Sequence, residues 1–176
     1  MSAALTEVRN GILIITLNRP EAKNAVNQEL AEGVAAALDR LDGEADLRVG
    51  IITGAGGTFC SGMDLKGFLR GERPFVPGRG FAGFTEAPPK KPLIAAVDGY
   101  ALAGGFETAI ACDLIVANKD AKFGIPEVKR GLAAAAGGLM RLPRQVSPRI
   151  AMEMALTGDF MSAQRGHEIG LINRLT

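Results

Sequence analysis

Lys91 to Ala117 reads KPLIAAVDGYALAGGFETAIACDLIVA, and the order of its parts decides the fold. Leu93 to Val97 is a short apolar run, long enough for a buried strand and too short for a helix. Asp98-Gly99 supplies a turn, and Ala101 to Asp113 opens on the adjacent glycines Gly104 and Gly105. Beyond them Phe106, Ala109, Ile110 and Asp113 fall at helical spacing, and Asp113 to Ala117 (DLIVA) is a second strand. Strand, helix and strand within so few residues is the unit that builds parallel sheets with crossover helices.

The same alternation extends upstream. Gly11 to Leu17 (GILIITL) reads as a strand closed by Asn18-Arg19-Pro20. Asn24 to Leu41 places Val26, Leu30, Val34, Ala37, Leu38 and Leu41 on one helical face, with Asn24 or Asn27 as N-cap. Arg48 to Thr53 is another strand, running into the turn Gly54-Ala55-Gly56-Gly57. Residues 67–91, rich in Gly, Pro and Phe, show no period and are expected to be a mobile loop or short irregular helices beside a site. Downstream, Ile150 to Leu156 and Ala163 to Gly170 read as helices. The chain is expected to be α/β and, at 176 residues, a single domain.

Composition narrows the function. A net charge of +1 with scattered Lys and Arg, and an aromatic content without Trp, argue against a nucleic-acid partner. Cys60 and Cys112 make neither a metal-ligand pair nor a disulfide framework, which favours a reducing cytoplasm, and no metal is expected. The start MSAALTEVRNG lacks a basic region followed by an apolar core, and no apolar run is long enough for a bilayer, so neither leader nor membrane is expected.

Three groups could carry chemistry. Gly104 and Gly105 at a helix start leave N–H groups bare for an oxyanion, or they only allow close packing. Cys60 to Leu65 (CSGMDL) after the glycine turn could bare N–H groups at Ser61, Gly62 and Met63 with Asp64 in the first turn of a helix, or be an ordinary strand-to-helix turn. Glu107 and Glu127 could divide acid and base work; alternatively Glu107 is a helix-dipole partner and Glu127 a surface residue paired with Lys129 or Arg130. His167, the sole histidine, lies in a polar segment and reads as a surface residue. Ser61 lacks the flanks of a nucleophile elbow, and Gly54 to Gly57 is neither a P-loop nor a dinucleotide fingerprint.

Taken in order, NRPEAKNAVN at 18–27, TGAGGTFCSGMDL at 53–65, the 91–117 stretch, FGIPEVKRGL at 123–132, GGLMRLPR at 137–144 and AMEMALTGD at 151–159 resemble the enoyl-CoA hydratase/isomerase, or crotonase, family. The resemblance implies a ClpP/crotonase-like spiral of ββα units, with two roughly perpendicular sheets and flanking helices. It implies an acyl-CoA thioester as substrate, with CoA near the backbone of Ala22, Lys23 and Ala25. The thioester oxygen would sit between the N–H groups of Met63 and Gly104, with Ser61, Gly62, Asp64, Leu65 and Gly105 around it. Hydratases of the family carry two glutamates, matched here by Glu107 and Glu127, whereas isomerases generally keep only the second. Hydration of an α,β-unsaturated acyl-CoA is therefore expected, with no cofactor beyond the CoA of the substrate.

Two departures accompany the match. KRGLAAAAGG after Glu127 lacks the proline that common hydratases have before their glycine pair, and looks more like the branch containing carnitinyl-CoA dehydratase. The sequence ends at Thr176, where family members continue into helices that usually complete the CoA site and a homotrimer or dimer of trimers. The expectation is a crotonase-like domain over 1–176 lacking that region. Besides a hydratase, an isomerase, a carnitinyl-CoA dehydratase-like enzyme and a non-catalytic acyl-CoA-binding protein remain open.

Overall fold

The structure is a computed structural model, and it describes residues 2–176. Its centre is a six-stranded sheet. In chain order the strands are β1 (Ala4–Arg9), β2 (Ile12–Leu17), β3 (Val49–Gly54), then β6 (Leu93–Val97), β8 (Leu114–Ala117) and β11 (Arg174–Leu175), lying side by side in that sequence. The strands from β2 to β11 pair in parallel and only β1 is antiparallel, as a hairpin partner of β2. The parallel order follows the alternation read in the sequence. β1 escapes that reading because five of its six side chains are exposed and leave no apolar run.

Every second residue of the parallel strands faces the core. In register across the sheet lie Ile15, Ile52, Ala95 and Ile115, all buried. Helix α1 (Gln28–Gly43) covers this face with Leu30, Val34, Leu38 and Leu41, at the spacing that puts one stripe against a sheet. Asn27 is its N-cap, its side chain accepting from the Leu30 N–H. The helix therefore begins four residues later than Asn24. Asn24 instead holds a left-handed backbone, and Val26 forms a β-bridge with Met63.

A second sheet of three strands contains β7 (Tyr100–Leu102), β9 (Lys122–Gly124) and β10 (Met161–Ser162). Helix α3 (Gly104–Ile110) follows β7 and is buried along its whole length. Pro126–Arg130 forms a 3-10 turn, after which α4 (Gly138–Gln145), α5 (Pro148–Thr157) and α6 (Ala163–Glu168) complete the surface. The segment 67–91 is more ordered than its composition predicts. It begins inside helix α2 (Leu65–Leu69) and forms a hairpin of β4 (Phe75–Val76) and β5 (Gly80–Phe81). Phe81 and Phe84 are both buried, and apolar burial of two aromatic rings anchors a segment that has no periodicity of its own. Among the described residues no helix is long and apolar enough to cross a membrane.

Gly50 marks where α1 presses on the sheet. A Cβ at this position would lie 2.8 Å from both the Leu41 and Leu93 side chains. Gly50→Val is expected to lower stability by about 1–3 kcal/mol through overpacking, measured as the urea midpoint.

Candidate active site

The parallel strands end together, and their connections meet at that edge. Leu17 pairs with Gly54 and Thr53 with Ala96, so the loops after β2, β3 and β6 leave the sheet side by side. The first loop carries Ala22, Lys23 and Ala25, the second carries Ser61 to Leu65, and the third leads to Gly104. Val26 N–H donates to Gly62 O and Asp64 N–H donates to Val26 O, at 2.8 and 2.9 Å. Cys60 in turn bridges to Ala101 of β7. These ladders bind the three loops into one layer.

Several amides in this layer stay free, and two of them matter here. Among the described residues neither the Met63 N–H nor the Gly104 N–H has an acceptor, although both neighbours of Met63 are tied to Val26. The two loops converge tightly at this point. A Cβ at Gly62 would lie 3.3 Å from the Gly104 nitrogen and 2.9 Å from the Ala103 Cβ. Gly105 serves packing as well, since a Cβ there would lie 2.2 Å from Cys60 O. Ala103, the residue before α3, is held at φ 52° and ψ −129°, a region disfavoured for any residue with a Cβ. Its N–H donates to Gly124 O, so the second sheet holds the turn that aims the start of α3. Burial pushes the Cys60 thiol up to about 12, so it stays neutral and serves as an acceptor, 3.4 Å from the Gly62 nitrogen.

Glu107 projects from the first turn of α3 and is 2 % exposed. Its Oε1 accepts from Ala136 N–H and Gly138 N–H at 2.8 and 2.7 Å. Those donors come from the small-residue run 133–138, which has no side-chain signal to mark it in the sequence as a holder of the carboxylate. Desolvation raises the Glu107 pKa, against the two amides and the Arg141 charge, which lower it. Glu127 lies in the 3-10 turn after Pro126, half-buried, with Oε2 buried and unbonded. It is not paired with a neighbouring cation: Lys129 instead bonds Asp159 at 2.7 Å. Burial raises its pKa, and the charge of Glu107 raises it further, so the two carboxylates share one electrostatic neighbourhood.

The remaining candidate residues take simpler places. The N–H groups of Ala22, Lys23 and Ala25 all donate within their loop. A ligand can therefore be met there only by spare carbonyl lone pairs, or by the exposed Lys23 side chain. Asp64 is the N-cap of α2: Oδ1 accepts from Lys66 and Gly67, while Oδ2 pairs with Arg19 at 2.9 Å. The Leu65 side chain is exposed at the start of the same helix. His167 is exposed and contacts Ile172 O.

The enoyl-CoA hydratase/isomerase profile matches residues 7–176. The chain belongs to that family. It superposes on an enoyl-CoA hydratase EchA1 from Mycobacterium marinum with a TM-score of 0.98 at 62 % identity, spanning 100 % of this chain and 69 % of that one. A carnitinyl-CoA hydratase from Mycobacterium avium superposes with a TM-score of 0.97 at 44 % identity, over 100 % and 69 % of the two chains. A carnitinyl-CoA dehydratase from Salmonella paratyphi A is 46 % identical over 181 residues, 99 % of this chain and 69 % of the relative. The fold is thus crotonase-like, as the motif order implies.

The raised carboxyl values have a consequence for stability. A native carboxyl that holds its proton more tightly than the unfolded chain loses stabilisation as pH rises from the ordinary value toward the raised one. Glu127→Gln removes that loss. The variant is expected to melt above the parent at pH 7.5, with the gain vanishing near pH 4. Calorimetry at the two pH values checks this.

Proposed function

We propose that the chain catalyses reversible syn addition of water to the double bond of an α,β-unsaturated acyl-CoA, giving a 3-hydroxyacyl-CoA. The observation that carries this reading is the presence of a buried Glu107 and a half-buried Glu127 whose carboxyl feels the Glu107 charge, together with two free backbone donors. The Met63 and Gly104 N–H groups would donate to the thioester oxygen and stabilise the charge that builds on it, and such donors act best when fixed beforehand. Glu127 delivers a proton to the α carbon. Glu107, with Oε1 held by two amides, keeps Oε2 for the water, and with Glu127 it orients and deprotonates that water. Family membership supports the thioester class. CoA is part of the substrate, near Ala22, Lys23 and Ala25, and no other cofactor enters.

The acyl group is the finer question. A cavity of about 500 Å³ opens at Glu127, within the range of small-molecule sites. Ile125, Val128, Leu132, Leu139, Met152 and Leu156 are among its walls, and Glu127 is its sole charged group. No aromatic ring and no second carboxylate is there to hold a trimethylammonium. This favours an aliphatic tail. The names of two of the relatives favour the second reading, water loss from carnitinyl-CoA, while the 62 % identical one is named an enoyl-CoA hydratase. Association as a trimer or dimer of trimers is proposed by family analogy.

Crotonyl-CoA is expected to lose its enoyl absorbance with formation of the 3-hydroxy product, and Glu107→Gln and Glu127→Gln should each slow this by about 10²–10⁴-fold. Activity surviving both changes excludes the assigned roles. Double-bond migration without hydration indicates an isomerase, and tight binding without absorbance loss a non-catalytic protein. Ala155→Phe, which fills the cavity, should lower kcat/KM for a ten-carbon enoyl-CoA about tenfold, the worth of about two buried methylenes, while crotonyl-CoA turnover holds. Faster turnover of carnitinyl-CoA than of either would decide for the second reading.

A further inference from the structure

Outside the two carboxylates, the strongest concentration of buried polar bonding lies behind Met63. Asn24 is fully buried, at 0 % exposure, in a left-handed backbone with φ 54°. Its Oδ1 accepts from Arg19 N–H at 2.8 Å, and its Nδ2 donates to Ala55 O and Thr58 O at 2.9 and 2.6 Å. One side chain thus fastens the first loop to the turn that delivers Cys60 to Asp64. The Arg19 guanidinium completes the fastening. Nη1 donates to Ala25 O at 2.5 Å and Nη2 to Asp64 Oδ2 at 2.9 Å, with side chains only 18 % and 11 % exposed. Asp64 spends its other oxygen on Lys66 N–H and Gly67 N–H, so both carboxylate oxygens are engaged within the protein.

Arg19 grips the peptide before Val26 and the residue after Met63, and Val26 is bonded to Gly62 O and Asp64 N–H. Met63 sits between, and its own N–H is left free. We propose that the Arg19–Asp64 ion pair, backed by Asn24, sets the aim of the Met63 N–H, which makes Arg19 and Asp64 positioning residues for the oxyanion contact. This rests on the hydratase reading. The physical need is plain: a donor serves only within about 2.7–3.1 Å of the developing charge. A misplacement of about 1 Å from changes outside the chemistry costs on the order of a hundredfold. An ion pair that only stabilised the fold could end on any peptide; this one ends on Asp64, the residue after the donor, and on the peptide before Val26, whose own N–H and C=O bond Gly62 and Asp64.

Asp64→Asn keeps an oxygen for the cap and loses the charge facing Arg19. Arg19→Lys keeps the charge and loses the two-pronged reach. With each variant shown folded by its thermal transition, kcat for crotonyl-CoA should fall about tenfold to a hundredfold while KM stays within about threefold, and Arg19→Lys should fall less. An aromatic enoyl-CoA, whose absorption moves to longer wavelength when its carbonyl is polarised, should show a smaller shift when bound to either variant. Folded variants with the parent's kcat and the parent's shift overturn the proposal. If the parent neither hydrates nor shifts the probe, the hydratase reading fails. The NMR resonance and exchange rate of the Met63 amide then decide the positioning role, and no change in Asp64→Asn overturns it.

Discussion

The parallel register of the large sheet is the constraint on which the site depends. Parallel neighbours cannot be joined by a tight turn, so each connection must cross from the end of one strand to the start of the next. Every loop that follows one of the parallel strands therefore opens at the same edge. Because Leu17 pairs with Gly54 and Val97 with Ala117, these ends coincide, and segments distant in sequence meet there. The carboxyl edge of such a sheet is where ligand groups collect in open α/β folds, for the same geometric reason.

That edge is built at some cost to the fold. Glu107 is desolvated, Glu127 has a buried oxygen without a bond, and Ala103 sits in an unfavourable backbone region. Each opposes stability, and they fall together around α3 and the turn that faces it. The surrounding structure offsets them through the buried row of Ile15, Ile52, Ala95 and Ile115 and through loops locked by Asn24 and Arg19. Strained or under-bonded groups gathered in one place, with sound packing elsewhere, are what a site held ready for a charged intermediate requires.

Glu107 and Glu127 differ in how they are held, and this bears on their tasks. Glu107 is gripped by two amides from the run before α4, so its position depends on a segment about thirty residues away. Glu127 lines an apolar cavity and has one buried oxygen unbonded. A carboxylate anchored through one oxygen suits water orientation, whereas one with an unengaged oxygen in an apolar wall suits proton delivery to carbon. In the proposed reaction the cavity beside it would link this chemistry to the choice of acyl tail.

Much was legible in the sequence alone. Alternating apolar runs and helical stripes are local patterns, and they determined the parallel α/β plan, α1, α5 and the glycine start of α3. The motif order led to the family and to Glu107, Glu127, Met63 and Gly104. The three-dimensional structure decided the rest, because it depends on bonds between residues far apart in the chain, which no spacing encodes. Asn24 offered itself as a helix cap and is instead a buried tie between two loops. The segment 67–91 had no period, yet Phe81 and Phe84 bury it. Ala136 and Gly138 show no chemical signal, since they act through backbone N–H groups common to nearly every residue, and only folding places those groups against Glu107.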